Sequence, residues 1–138
     1  MANVVPNAFK GELLSGTHNF ASGGDSFKLA LYTANPYTTS STAYSSGAGN
    51  EVSGSAPGYS TGGSALTSQA VASSTATASV DFANLTFSSA TFSAAFGAIY
   101  NDDKSDKLVV ILDFGGTKTA TNGDFTIAFP DPSTPSNA

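Results

Sequence analysis

Residues 26–33 read Ser-Phe-Lys-Leu-Ala-Leu-Tyr-Thr, and this stretch decides the fold class. Its phenylalanine and two leucines face one way and the residues between them face the other, because side chains alternate across a β-strand. Gly23-Gly24-Asp25 precedes the stretch as a turn, and Asn35-Pro36 ends it. The pattern predicts a half-buried strand, and therefore a β protein.

Further strands are predicted downstream and are separated by turns. They cover residues 64–72, 75–82 with a continuation through 84–87 after a bulge, 92–100, 107–114 and 124–129. The apolar run at 108–112 predicts the central strand of the sheet. Residues 101–106 form a predicted hairpin loop, and Gly115-Gly116 and Asn122-Gly123 are turn signals. Six or more short strands with regular turns predict an antiparallel β-sandwich of the jelly-roll kind.

Residues 6–16 have the pattern of a short N-terminal helix. Pro6 suits the first helical turn, and Phe9, Leu13 and Leu14 are spaced to share one face. A glycine at the end of this segment is a natural stop signal. At 138 residues, the chain fits a single domain made of this helix and the predicted sandwich.

Residues 37–63 are rich in Ser, Thr, Gly and Ala and contain few large aliphatic side chains. Tyr37, Tyr44 and Tyr59, together with a valine, predict an ordered excursion that is held at aromatic anchors. Long loops without secondary structure are usually functional, so we expect this segment to be an interaction loop. Residues 130–138, which are rich in Pro and Ser, are expected to form a C-terminal tail.

The composition excludes several classes of function. The chain has five lysines, no arginine, ten acidic residues and a net charge of −5, which argues against binding to nucleic acid or to an anionic membrane. Without cysteine it has neither disulfides nor thiolate metal ligands. The start of the chain lacks the pattern of a secretion signal, and no run is long enough to cross a bilayer, so we expect a soluble protein that is made in a cytoplasm. Only 11% of the residues are charged, which suggests a surface that neighbouring subunits cover.

One catalytic motif occurs in the chain. Residues 58–62, Gly-Tyr-Ser-Thr-Gly, match the nucleophile-elbow pattern around Ser60. The elbow needs a strand before it, a helix after it and a histidine downstream, whereas the only histidine, His18, lies upstream near the helix end. We therefore interpret the match as a loop and His18 as a helix-terminal residue, and we predict no catalytic residues.

Two sets of carboxylates are candidates for a site. Residues 101–106, Asn-Asp-Asp-Lys-Ser-Asp, lack calcium-loop spacing and include Lys104, so a solvated turn is favoured over a weak Ca²⁺ contact. No metal site and no cofactor is predicted. Paired carboxylates of a glycosidase would have to come from four residues, of which Asp113 and Asp124 flank predicted strands as turn-edge residues do, so a structural role is favoured. These residues are Glu51, Asp81, Asp113 and Asp124.

Carbohydrate binding is a less favoured alternative. Exposed aromatic rings form sugar platforms, and this chain has no tryptophan. Its five tyrosines could serve instead, but tyrosine in a β protein is more often packed. They are Tyr32, Tyr37, Tyr44, Tyr59 and Tyr100.

The order of several short motifs along the chain resembles that of a known family. The motifs are KGELLSG at residues 10–16, DSFKLALYT at 25–33, GYSTGG at 58–63, VDF at 80–82, FGAIYN at 96–101 and LDFGG at 112–116. They resemble small virion-associated proteins of tailed bacteriophages, over residues 9–129. The motifs are strands and turns, so the resemblance implies no active site.

This resemblance implies a non-enzymatic structural protein, and a capsid decoration or cement protein fits best. Such proteins lie on the exterior of the capsid, commonly as trimers, and clamp neighbouring capsid subunits. The expected partners are the major capsid protein and further copies of the chain, with no nucleic acid and no membrane. The alternative is a tail, neck or head-fibre component, including a receptor- or glycan-binding module. A polysaccharide-degrading enzyme comes third.

Overall fold

A computed structural model describes residues 3–129 of the chain, so the predicted tail at 130–138 lies outside the described residues. Within this range the elements are α1 (Asn7–Leu14), β1 (Phe27–Tyr32), β2 (Ser64–Ala65), β3 (Ala70–Ser74), β4 (Thr77–Asp81), β5 (Leu85–Asn101) and β6 (Lys107–Ile127). The strands form one sheet in the order β2-β1-β5-β6 and a separate hairpin of β3 and β4. All pairings are antiparallel. The mainly β class with one short helix is confirmed, whereas a sandwich or jelly roll is not.

The two faces of β1 are both buried. Phe27, Leu29 and Leu31 enter the larger core cluster, whereas Ala30 and Tyr32 enter a second cluster on the opposite face. The alternation of the two faces is as predicted, but the expectation of a half-buried strand was wrong. Burial on the second face arises because side chains from the segment between β1 and β2 pack against it.

The apolar run at residues 108–112 lies in β6, at the edge of the four-stranded sheet and not at its centre as predicted. The central strands are β1 and β5. The run is nevertheless covered along its outer side by other segments. Val4 exchanges both backbone hydrogen bonds with Ile111, at 2.9 and 2.7 Å, and Leu108 donates its N–H to the carbonyl of Thr42 at 3.0 Å.

The predicted turns at Gly115-Gly116 and Asn122-Gly123 are not chain reversals, because both lie inside β6. Gly115, Gly116 and Asn122 have φ values of +76°, +142° and +50°, which bend the strand without ending it. Register shifts in the pairing of β5 with β6 accompany these bends. The pair of strands β5 and β6 is therefore bent, and its far part packs in the larger core cluster.

Several predicted strands consequently have different boundaries. Residues 85–87 and 92–100 are parts of β5, whereas residues 107–114 and 124–127 are parts of one strand, β6, so residues 84, 128 and 129 lie outside the strands. The strand predicted at 64–72 is divided into β2 and β3. The hairpin loop at 101–106 lies where it was predicted, between β5 and β6.

Helix α1 is shorter than the predicted 6–16 and has only two turns. Phe9 packs against the larger core cluster, but Leu13 and Leu14 are 49% and 91% exposed. The expectation of one shared apolar face was therefore wrong. Leu14 lies five residues from Phe9, about 140° around the helix, so packing of Phe9 turns Leu14 towards solvent.

Candidate interaction surface

The segment between β1 and β2, residues 33–63, is named here the excursion. It contains no helix and no strand beyond isolated bridges, one joining Glu51 to Tyr32 and one joining Ala43 to Lys107. The hydroxyls of Tyr32 and Tyr37 lie 2.9 Å apart, and their rings meet edge to face. These contacts fix the start of the excursion on the second core cluster.

Glu51 organises the second half of the excursion. Its Oε1 accepts hydrogen bonds from the Tyr59 hydroxyl and from the Gly62 N–H, both at 2.7 Å. Its Oε2 accepts a hydrogen bond from the Tyr44 hydroxyl at 2.9 Å. One carboxylate therefore gathers three separate points of the excursion, and we name this arrangement the Glu51 hub.

Tyr100 of β5 joins the hub to the sheet. Its ring stacks on that of Tyr44 with centroids 4.4 Å apart, and its hydroxyl donates to the carbonyl of Gly62 at 2.6 Å. Tyr59 in turn accepts the N–H of Leu31 of β1 at 3.0 Å. The prediction of an ordered excursion held at aromatic anchors is confirmed.

All five tyrosines thus make internal contacts, with hydroxyls bonded inside the protein. Burial is the largest cause of a raised pKa at four of them, and the neighbouring Glu51 carboxylate adds to it. These four are Tyr32, Tyr44, Tyr59 and Tyr100. Four of the five rings are buried and that of Tyr44 is partly buried.

The outward side of the excursion is polar but carries no free charge. Glu51 is its only charged residue, and that carboxylate points into the hub. The exposed side chains are short hydroxyls, among them Thr38, Ser40, Ser46, Ser55 and Ser60. A surface of this kind is suited to contact with another protein, since it costs little to desolvate compared with charged groups.

Ser60 lies in this turn-rich part of the chain. The residues before it form turns, and the element after it is the two-residue strand β2. The local structure is therefore not the strand, sharp turn and helix of a nucleophile elbow.

His18 is buried in a hydrogen-bonded network between α1, the segment before β1 and the end of β5. Its Nε2 lies 2.8 Å from Glu12 Oε2, and its Nδ1 lies 2.9 Å from Asn101 Nδ2. The Asn101 amide also donates to Asp25, and its oxygen accepts the N–H of Asp103. This orientation of the Asn101 amide makes Nδ1 of His18 the acceptor. Nε2 therefore carries the hydrogen and donates a hydrogen bond to Glu12. The interpretation of His18 as a helix-terminal residue was incomplete, because the ring is buried and is held by Asn101 as well as by Glu12 of α1.

The two carboxylates of this network have lowered pKa values. Burial opposes the change at Glu12, but hydrogen bonds from His18 and Lys107 outweigh it. Burial likewise opposes the change at Asp25, where the Asn101 amide and the Lys104 ammonium favour the charged form. The network is a structural clamp that joins α1 to the segment before β1 and to the ends of β5 and β6 at their connecting loop.

The acidic loop at 101–106 uses its side chains in separate contacts. Asp102 lies 3.4 Å from Lys28, and Asp103 accepts the Ser26 N–H at 2.6 Å. Over residues 3–129, no group of three or more His, Cys, Asp or Glu side chains is arranged to hold a metal ion. The carboxylates do not converge on one point.

Of the four carboxylates considered for glycosidase chemistry, Glu51 is the hub residue. Asp113 accepts the Gly115 N–H at 2.9 Å, which is the main cause of its lowered pKa. Asp113 and Asp124 both line an open groove of about 560 Å³ beside β6. Asp81 ends β4 and lies apart from this groove lining.

This feature, the β6 groove, is largely apolar. Leu112, Phe114, Phe125 and Phe129 form its floor, and Lys118 and Asp124 contribute opposite charges. It runs beside the outer edge of β6. Over residues 114–127, no described segment pairs with that edge.

The hairpin of β3 and β4, named here the arm, stands apart from the sheet. Its strands pair only with each other in the described part of the chain. Val71 and Val80 are cross-strand partners and are 55% and 40% exposed. Sequence reasoning predicted both strands but missed this apolar pair, since weak alternation of small residues did not show which face is unpacked.

No helix in residues 3–129 is both long and apolar enough to cross a membrane. Comparison of the chain with protein-family models, with curated proteins and with solved structures finds no match.

Proposed function

We propose that this protein is a non-enzymatic structural protein of a phage virion, and that it acts as a decoration or cement protein on the exterior of the capsid. Its partners are the major capsid protein and further copies of itself. The motif resemblance supports the virion, and the surface chemistry of the molecule supports a role in assembly.

The observation that carries the proposal is the excursion. A long segment without regular secondary structure is held in one conformation by every tyrosine of the chain and by the Glu51 hub. Its outward side has short hydroxyls and no free charge. Preorganisation of this kind removes the entropic cost of ordering a loop on binding, so the surface favours protein contact.

The buried polar residues favour the same role. His18, Asn101 and Glu51 are bonded to other groups of the fold, so their chemistry stabilises loops and the N-terminal segment. The contacts to capsid subunits are expected to be hydrogen-bonded and apolar, and attachment is expected to depend weakly on salt.

The test introduces a long charge into the exposed side of the excursion. Ser46→Arg and Ser60→Arg place a guanidinium where neither serine side chain makes a hydrogen bond within the described structure, so the fold is expected to persist. Attachment to capsids should fall by about tenfold or more, because a buried unpaired charge is costly. Ser22→Arg, at an exposed position before β1, is the matched control and should attach like the unaltered protein.

If both excursion variants attach normally, the excursion is not the contact surface. A deletion of residues 38–49 would be a poorer test than these substitutions. It removes Tyr44, which joins the Glu51 hub to Tyr100, and so damages the fold itself.

A further inference from the structure

Asn122-Gly123 is a turn dipeptide that lies inside a strand. An Asn-Gly pair is typical of a hairpin turn, but here both residues belong to β6. Asn122 is exposed and has φ of +50°, a left-handed conformation that is uncommon outside glycine. It is also the only asparagine of the chain that a glycine follows. The strand therefore carries an exposed Asn-Gly bond that no chain reversal requires.

The strand pairing around this bond is one-sided and interrupted. β6 pairs only with β5 here, since no described segment pairs with its outer edge over residues 114–127. On the β5 side, Gly123 pairs with Ala90, and the register shifts both before and after that pair. A strand with one partner and an interrupted ladder opens locally more readily than a central strand does. The backbone at Asn122 can therefore leave the conformation that it holds in the strand.

The side chain of Asn122 contacts the hydroxyl of Thr91 on β5. This hydroxyl accepts the Asn122 N–H at 3.0 Å and donates to Asn122 Oδ1 at 3.4 Å. A donor on Oδ1 polarises the side-chain carbonyl, which makes its carbon more open to attack by a nucleophile. The bond to Oδ1 is long and therefore weak, so it leaves the amide group free to rotate. Thr91 thus favours reaction at Cγ of Asn122 without immobilising it.

We propose that the folded chain modifies itself at Asn122, converting this asparagine into aspartate and isoaspartate without an enzyme. The backbone nitrogen of Gly123 loses its proton to solvent and attacks Cγ of Asn122. The new N–C bond closes a succinimide ring, and Nδ2 takes a proton from water and leaves as ammonia. Water then adds to either ring carbonyl and opens the ring, so one carboxylate replaces the amide. Glycine favours the attack because it places no Cβ beside the reacting nitrogen.

Conversion changes β6 in two ways. It adds a negative charge two residues before Asp124, and the isoaspartyl product carries the main chain through the former side chain, so the strand gains one backbone atom. Gly123 then cannot keep its pairing with Ala90 while Phe125 stays in the larger core cluster. The far end of β6 is therefore expected to loosen as the protein ages. This inference goes beyond the proposed function and does not depend on it.

The test incubates the purified full chain in mildly alkaline buffer, below the pH at which the tyrosines ionise, and follows each asparagine by peptide mapping with mass spectrometry. Asn50 is the internal control, because it is exposed and has φ of +64° but precedes a glutamate. Asn122 should convert roughly tenfold faster than Asn50, or more. The isoaspartyl fraction, separated by ion exchange, should unfold at a lower temperature than the unconverted protein.

Gly123→Ala separates the chemistry from the fold. A Cβ at this position would lie 3.7 Å from the Thr121 carbonyl oxygen, an ordinary contact, so the variant is expected to fold, and circular dichroism checks this. Because the methyl group crowds the attacking nitrogen, conversion should slow by roughly tenfold. The chain unfolded in urea sets the time scale of the unprotected reaction. The proposal is wrong if Asn122 of the folded chain stays intact on that time scale, if Asn50 converts as fast, or if Gly123→Ala leaves the rate unaltered.

Discussion

At the scale of single residues, Glu51 is the residue that holds the excursion together. It is the only charged residue between Lys28 and Asp81, and it lies where three donors of the excursion converge. The sequence predicted that tyrosines would anchor this segment, because isolated aromatic residues in a polar stretch indicate that the stretch packs against the fold. It did not predict the shared carboxylate partner, since hydrogen bonds between residues distant in sequence leave no periodic pattern.

Replacing Glu51 therefore tests the hub. Glu51→Ala leaves two tyrosine hydroxyls and one backbone N–H without their acceptor, which should lower the free energy of unfolding by roughly 2–4 kcal/mol. Glu51→Gln keeps one acceptor oxygen and should cost about 1 kcal/mol. Chemical denaturation measures both values, and Asp124→Ala on an exposed part of β6 is the control. Equal stability of all three variants would mean that the hub does not hold the excursion.

Four of the tyrosines should resist ionisation while the protein is folded. Their ordinary pKa is 10.0, and burial raises it at Tyr32, Tyr44, Tyr59 and Tyr100. A group whose pKa is raised by folding stabilises the fold below its unfolded pKa, and this contribution is lost as pH rises above about 10. Ultraviolet absorbance of tyrosinate should therefore rise together with unfolding. Ionisation of most tyrosines near pH 10 with circular dichroism unchanged would contradict their burial.

At the scale of elements, local patterns predicted where strands lie better than where they end. The alternation in residues 26–33 predicted the position of β1 correctly. The two faces of this strand meet two different apolar clusters. The glycines in β6 led to the wrong prediction of turns. A glycine that bends a long strand has the same local sequence pattern as a glycine at which the chain reverses. The apolar run at 108–112 suggested a central strand, but it is apolar because Val4 and the excursion cover an edge.

Gly63 tests the close approach of the excursion to β1. A Cβ at this position would overlap the Leu29 carbonyl oxygen. Gly23 has the same φ, +77°, but a Cβ there meets open space. Gly23→Ala should therefore cost about 1–2 kcal/mol from the left-handed conformation alone. Gly63→Ala should cost about 2 kcal/mol more, because backbone atoms must move apart.

Thermal or chemical unfolding of the two alanine variants gives this difference directly. Equal losses would show that β1 and the end of the excursion are not in tight contact. A folded Gly63→Ala variant with nearly unaltered stability would contradict the packing of the excursion on β1.

At the scale of the whole molecule, charged and uncharged regions are separated. Carboxylates and lysines cluster around the β5–β6 loop and the His18 network, whereas the excursion and the arm have only two charged residues, Glu51 and Asp81. The low overall charge predicted a covered surface in general terms. The low charge could not indicate a particular surface such as the β6 groove. That groove consists of residues from distant parts of β6 that meet only after the strand bends.

Acid should destabilise the protein through the charged clamp. Folding lowers the pKa of Glu12 and Asp25 from their ordinary values of 4.5 and 3.8. A lowered pKa stabilises the fold above the unfolded pKa and loses this effect as pH falls, so Tm should be level near neutrality and decline below about pH 4.5. Glu12→Gln with Asp25→Asn should lower Tm at neutral pH and flatten the decline. An unaltered slope would show that other carboxylates govern acid unfolding.

The central claim is a decoration role on the capsid, and copy number tests it most directly. Quantitative mass spectrometry of purified virions gives the molar ratio of this chain to the major capsid protein. A cement protein that covers the shell requires a ratio near one, or a simple fraction of it. A ratio of a few per cent would contradict the decoration role and place the protein in the tail or neck.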